Sequence, residues 1–133
     1  MEKATYAVRV DPVKNRLYVT LSGFFTLEEI KRCGDETIAA TTKLRPGYDV
    51  ITDIRLFKAG PPEVAADIER VQAHFRKSGA RQGVRIVAGN ALSGMQFRRT
   101  GNEAGYHSVN VSSPEEAEAV LQKSEQRPAQ GPK

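Results

Sequence analysis

The chain has 133 residues, of which 39% are hydrophobic and 27% are charged, which is typical of one globular domain around one core. The 20 Lys and Arg residues only slightly outnumber the 16 Asp and Glu residues, and the two signs are interleaved, which argues against a nucleic-acid-binding stripe. No apolar run approaches the roughly 20 residues that span a bilayer, and the first residues lack a signal-peptide pattern, so we expect a cytoplasmic protein without a membrane span.

The N-terminal third of the chain predicts a β-hairpin followed by a helix. Residues 6–10 and 17–21 alternate apolar and polar side chains, and a turn over 11–15 joins them, which predicts an antiparallel pair. The segment Thr26-Leu27-Glu28-Glu29 matches a capping box, in which the Thr hydroxyl and the Glu carboxylate each accept a backbone N–H. We expect the helix to run to about Thr42.

The middle of the chain predicts a buried strand and a second helix. Residues 48–54 are rich in β-branched side chains and bounded by turn residues, as in a strand buried on both faces. Pro61-Pro62 favours a helix start, and apolar residues recur at helical spacing from Val64 to Phe75. Ser78-Gly79 predicts its end.

The C-terminal third predicts two further strands and two helices. Residues 84–88 and 107–111 are short apolar strands, separated by a helix that Gly105 should end. Ser113-Pro114-Glu115-Glu116 combines an N-cap, a Pro at the first helical position and a Glu at the third, which predicts a last helix to about Lys123.

The resulting order, ββαβαβαβα, places the chain in the α/β class. Strands that alternate with helices after a leading hairpin predict a mostly parallel central sheet with one antiparallel edge strand and helices packed on it. We expect a single domain over residues 1–123. Residues 124–133 are poor in apolar side chains and rich in Pro, Gly and Gln, so we expect a disordered tail there.

This order and several segments resemble the STAS-like group, named after sulfate transporters and anti-sigma-factor antagonists. The similarity covers about residues 5–122 and is carried by VITDI (50–54), the turn 89–92, MQF (95–97), EAGY (103–106) and SSPEEAEAVL (112–121). The resemblance implies a bacterial stand-alone regulatory module, non-catalytic, that docks on a partner protein through the loop and helix after the third strand.

The chain departs from the phosphorylated members of that group at one place. Those members carry a Ser or Thr directly after an acidic residue, and a kinase modifies its hydroxyl to break the complex. Asp53 matches the acidic residue, but no Ser or Thr lies between Thr52 and Ser78. Since phosphorylation needs a hydroxyl to carry its added negative charge, we expect no such switch at this site.

The predicted partner-binding surface is the loop 53–62 with the exposed side of the helix 63–77. Phe57 is its expected hydrophobic anchor, because aromatic residues are frequent binding hot spots; the alternative is that Phe57 packs onto the helices. The charged and polar contacts would come from Asp53, Arg55, Lys58, Arg70 and His74. If so, combining Phe57→Ala with Lys58→Glu should abolish partner binding and leave thermal stability nearly unchanged.

The turn before the third helix is a second candidate, for an anion. Its free backbone N–H groups can hold an anion, and the residues concerned are Asn90, Ser93, Arg98 and Arg99. The turn lacks a Gly-x-Gly-x-x-Gly or Walker pattern, so the alternative is a tight structural turn.

Evidence for catalysis or a metal is weak. His74 and His107 have no Cys, Asp or Glu at metal-ligand spacing, and no Ser lies in a Gly-x-Ser-x-Gly elbow, although a triad assembled only in the fold stays open. The single Cys33 excludes an intrachain disulfide and is expected to pack inertly. We therefore expect no enzyme, no cofactor and no metal.

Two kinds of binding partner stay open. The leading hypothesis is another protein, or a second copy paired through an edge strand. The alternative, implied by the STAS-like resemblance, is a small hydrophobic, lipid-like ligand enclosed in an apolar cavity.

Overall fold

A computed structural model describes residues 2–58 and 60–125, and its element order is the predicted one. The strands are β1 (Thr5–Asp11), β2 (Arg16–Phe24), β3 (Asp49–Lys58), β4 (Gln82–Ile86) and β5 (Ser108–Val111). The helices are α1 (Leu27–Thr41), α2 (Pro62–Lys77), α3 (Ala91–Ala104) and α4 (Pro114–Glu125). None of these helices, which all fall within the described ranges, has the length and apolar character needed to cross a membrane.

The five strands form one sheet in the spatial order β1-β2-β3-β4-β5. β1 pairs with β2 in antiparallel fashion, and the remaining pairs are parallel, as predicted. From β2 onward, each crossover advances one strand in the same direction. Because such crossovers are almost always right-handed, three successive steps place α1, α2 and α3 on one face of the sheet and leave the other face for α4.

The core is divided accordingly into two apolar clusters. The larger lies between the sheet and α1–α3 and includes Leu17, Val50 and Phe75. The smaller lies between the sheet and α4 and includes Ile51 and Leu121. Val50 and Ile51 are adjacent in sequence and point to opposite clusters, as the two-residue period of a strand requires.

β3 is longer than predicted and contains a bulge. The prediction ended this strand at residue 54, whereas it continues to Lys58. Thr20 pairs with Asp53 but Ser22 pairs with Leu56, so β3 carries one extra residue between these positions. The extra residue reverses the alternation of side chains, and Phe57, rather than Leu56, faces the larger cluster.

The helix starts follow the predicted capping pattern. In α1, the Glu29 N–H donates to Thr26 Oγ1 at 3.1 Å and the Thr26 N–H donates to Glu29 Oε1 at 2.9 Å; these bonds lower the pKa of Glu29. In α4, the Glu116 N–H donates to Ser113 Oγ at 3.1 Å. That helix runs to Glu125, so residues 124 and 125 of the predicted tail are helical, and residues 126–133 lie outside the described part of the chain.

Candidate functional site

Phe57 is not an exposed anchor. Its side chain is only 1% exposed, and its ring centroid lies 5.7 Å from that of Phe25 and 5.4 Å from that of Phe97. The expected role in docking is therefore wrong, and the alternative, that Phe57 packs onto the helices, is confirmed. The cause is the bulge in β3, which turns this side chain inward.

The charged residues of the predicted surface lie on opposite faces of the sheet. Asp53 is the lateral neighbour of Ile86, which belongs to the cluster under α4. Its carboxylate is 2.6 Å from Arg55 Nη2. The hydrogen bond to Asp53 is the main cause of the raised pKa of Arg55, and Glu115 at the start of α4 adds to it. Arg70 and His74 are on α2, which covers the other face. The structure does not bring the predicted set together.

Arg70 and His74 instead join α2 to α1. Arg70 Nε donates to Asp67 Oδ1 at 2.9 Å, and its Nη2 donates to Asp35 Oδ1 at 3.0 Å. His74 Nε2 is 2.8 Å from Thr41 Oγ1. Both side chains thus stabilise the contact between the two helices that cover the larger cluster.

His74 should make stability fall on mild acidification. Burial, then the cations Lys77 and Arg70, lower its pKa below the ordinary value of 6.5, so the unfolded chain binds a proton before the folded protein does. The contribution of neutral His74 to the free energy of unfolding is complete above pH 6.5. It is lost as the pH falls from 6.5 to the pKa of His74 in the folded protein. Melting temperatures between pH 7.5 and 5 should therefore decrease less in His74→Gln, and an unchanged pH dependence would contradict this assignment.

The side chains of Asn90 and Ser93 form hydrogen bonds with strand β3. Asn90 Nδ2 donates to the carbonyl oxygens of Ile54 and Phe57, both at 2.8 Å, while its Oδ1 accepts the Ser93 N–H at 3.4 Å. Ser93 Oγ donates to the Phe57 carbonyl at 3.2 Å. These groups fasten the end of β3 to the start of α3, which supports the alternative of a tight structural turn.

Arg98 and Arg99 do not complete an anion site with them. Both side chains are exposed in the second half of α3. They follow Asn90 by eight and nine residues, which corresponds to about 12 Å along a helix axis. The four residues of the predicted anion site therefore do not converge.

A cavity between the sheet and helices α1 and α2 is the strongest candidate site. Its volume is about 50 Å³, and it is partly open to solvent. Its walls are mainly apolar, with Val19 from the sheet, Ile68 and Phe75 from α2, and Phe97 from α3. Apolar concavities with a few polar groups are the usual form of small-molecule sites.

Arg85 is the notable polar residue of this cavity. It is the last residue but one of β4 and is only 3% exposed. Its neighbours Val84 and Ile86 point into the cluster under α4, so Arg85 points to the opposite face. Burial lowers its pKa, and its guanidinium carbon lies 5.6 Å from the centre of the Phe97 ring.

Gln72 supplies a second buried polar group. This side chain on α2 is 4% exposed and lines the cavity. Its Nε2 donates to the Phe97 carbonyl at 3.1 Å, but its Oε1 has no hydrogen-bond partner among the described residues. A buried acceptor without a donor is uncommon in folded proteins.

Neither Arg85 nor Gln72 was predicted as a site residue from the sequence. The signal for Arg85 was a charged residue within the otherwise apolar segment VRIVA (84–88). Gln72 gave no signal, because a Gln on a helix is ordinary until its burial is known.

Cys33 lines the same cavity and packs as predicted. It is buried, and burial raises the pKa of its thiol to about 12. Such a thiol stays protonated near neutral pH and is a poor nucleophile.

Within residues 2–58 and 60–125, no group of three or more His, Cys, Asp or Glu side chains is placed to hold a metal ion. Comparison with protein-family models and with curated proteins finds no match to this chain.

Proposed function

We propose that this protein is a small-molecule-binding domain and that its ligand site is the cavity between the sheet and helices α1 and α2. The observation that carries the proposal is the presence of two buried and incompletely hydrogen-bonded polar side chains, Arg85 and Gln72, in the wall of a mainly apolar cavity. Burying polar groups without full hydrogen bonding is costly. A bound ligand that makes the missing hydrogen bonds would offset this cost, which supports a binding role for the cavity.

We further propose that binding proceeds without covalent chemistry. Cys33, the strongest nucleophile type in the cavity wall, is held in its protonated form by burial. The carboxylate of Asp67, which also lines the cavity, is engaged by Arg70. These arrangements support a carrier or sensor over an enzyme.

Membership in the STAS-like group is also a proposal. The element order and the segments that resemble that group support it, as does a fold in which the helices cover a mostly parallel sheet. In this proposal the protein is a member without the phosphorylated hydroxyl. Its regulation would then depend on what occupies the cavity.

Titration with n-butanol, a small neutral molecule, tests the proposed function. We expect saturable changes in amide NMR spectra at cavity residues such as Ile68 and Phe97. Val71→Met places a longer side chain at the cavity wall and should weaken binding about tenfold, which corresponds to about 1.4 kcal/mol.

Val120→Met is the matched control for this titration. Val120 is half-buried in α4 against the opposite cluster, so its replacement should leave n-butanol affinity unchanged. Absence of saturable changes at the cavity, or equal affinities in the two variants, would contradict the proposed function.

Docking on another protein, or on a second copy, is the second candidate. Leu56, Leu92 and Met95 are large apolar side chains that are more than half exposed, and all lie towards the carboxyl end of the parallel strands, where α/β folds place binding sites. Lys58, exposed at the end of β3 and 3.9 Å from Glu2, adds a charge there. The n-butanol titration separates the candidates, because a docking domain whose cavity holds only water gives no saturable change.

A further inference from the structure

We propose that Arg85 is an anion-binding residue and that the ligand of the cavity is a short-chain monocarboxylate. The carboxylate would pair with the guanidinium, and the apolar body of the ligand would pack against the aromatic wall that includes Phe97. This inference rests on the proposed function and adds to it the chemical class of the ligand.

Arg85 is buried, and no residue in the described part of the chain supplies a matching charge. Its Nη1 donates to Asn110 Oδ1 at 3.3 Å, and the described residues offer its other N–H groups no hydrogen-bond acceptor and no ion pair. A guanidinium has five N–H donors, and burying its charge costs free energy unless it is paired. The Phe97 ring, 5.6 Å away, compensates only part of this cost.

The acidic side chain in the cavity wall is already neutralised by Arg70. Asp67 lines the same cavity and is buried. Both of its carboxylate oxygens accept hydrogen bonds from Arg70, at 2.9 and 3.3 Å. The charge of Asp67 is thus matched within α2, and the positive charge of Arg85 is left for a ligand.

The volume of the cavity limits the size of the ligand. One water molecule needs about 10–15 Å³ of cavity volume. The cavity, at about 50 Å³, therefore has room for about four water-sized groups. A carboxylate with a short alkyl body matches that space and the apolar walls.

The test compares sodium butyrate with butyramide, which has the same shape and no charge, at pH 7. Sodium chloride at equal concentration controls for ionic strength. We expect butyrate to bind at least about tenfold more tightly, because hydrogen bonds to a charged group are worth about 1.5–3 kcal/mol. Arg85→Met should abolish this preference, and Arg85→Lys should retain part of it.

Thermal denaturation provides an independent measurement on the same variants. Because Arg85→Met removes a buried charge without a described ion pair, its melting temperature without ligand should equal or exceed that of the original protein. Butyrate should raise the melting temperature of the original protein most, that of Arg85→Lys less, and that of Arg85→Met no more than butyramide does. If Arg85→Met does not fold, Arg85→Gln carries the same comparison.

The outcomes separate this inference from the function on which it rests. If n-butanol binds but butyrate shows no advantage over butyramide, or if Arg85→Met keeps that advantage, the carboxylate inference is wrong and the proposed function stands. If neither n-butanol nor butyrate binds at the cavity, both are wrong.

Discussion

Replacing Phe57 with Ala should lower the free energy of unfolding by about 3–5 kcal/mol, the range found when a buried Phe is truncated. The side chain is 1% exposed and contacts two other aromatic rings, Phe25 and Phe97. Its removal therefore loses apolar burial and leaves a void beside the rings. Urea denaturation followed by circular dichroism measures the change.

Leu56→Ala is the matched control, one residue away in the same strand. Leu56 is 65% exposed, and a surface truncation usually changes stability by less than about 0.5 kcal/mol. Equal losses in Leu56→Ala and Phe57→Ala would contradict the bulged register of β3. The sequence-based expectation was that Phe57→Ala, combined with Lys58→Glu, leaves stability nearly unchanged. That expectation assumed an exposed Phe57, and the burial of Phe57 contradicts this assumption.

Asn90→Asp should lower the free energy of unfolding by about 2–4 kcal/mol, although Asn and Asp are nearly equal as N-caps. The Asn90 amide donates to the carbonyls of Ile54 and Phe57, and a carboxylate has no proton to donate. The Ile54 carbonyl would lose this donor, and the Phe57 carbonyl would keep only the hydroxyl of Ser93. A buried group left without a partner costs about 1–3 kcal/mol, and the new carboxylate would also repel both carbonyl oxygens. Chemical denaturation at pH 7, where Asp is ionised, measures this loss.

Thr26→Asp provides the comparison for a cap that only accepts from its helix. The Thr26 side chain accepts the Glu29 N–H at the start of α1, a role that a carboxylate also performs. This change should alter stability by less than about 1 kcal/mol. A similar loss in Thr26→Asp and Asn90→Asp would show that the donor bonds of Asn90 contribute little.

The element order was predictable because its signals are local. The Thr26–Glu29 capping box depends on atoms three residues apart, and it is present as predicted. The apolar face of α2 between Val64 and Phe75 depends on helical spacing alone, and both of these residues are buried. With one crossover hand available, the element order and the local strand pairing leave few arrangements of the sheet.

The direction of Phe57 was not predictable in the same way. Strand alternation read from Val50 would place Leu56, not Phe57, in the core. The bulge changes this phase, and the local sequence contains no Gly to mark it. Pairing with β2, more than thirty residues earlier, fixes where the extra residue lies. This shift removes Phe57 from the predicted docking surface.

The cavity depends on still more distant contacts. The sequence shows a charged residue inside VRIVA (84–88). The face of the sheet on which Arg85 lies depends on α4, because Val84 and Ile86 pack against that helix. Asp67, the acidic residue in the same cavity wall, is engaged by Arg70. These are properties of three packed elements, and no local pattern encodes them.

The agreement between strand order and chain order has a consequence for how the protein is made. Each strand after the first pairs with the strand synthesised just before it, so the sheet can lengthen strand by strand as the chain leaves the ribosome, with short loop closures at every step. Helix α4 is the exception. Its Glu118 binds Arg16 of β2 across 102 positions of sequence, and it covers its face of the sheet only after synthesis of every strand is complete.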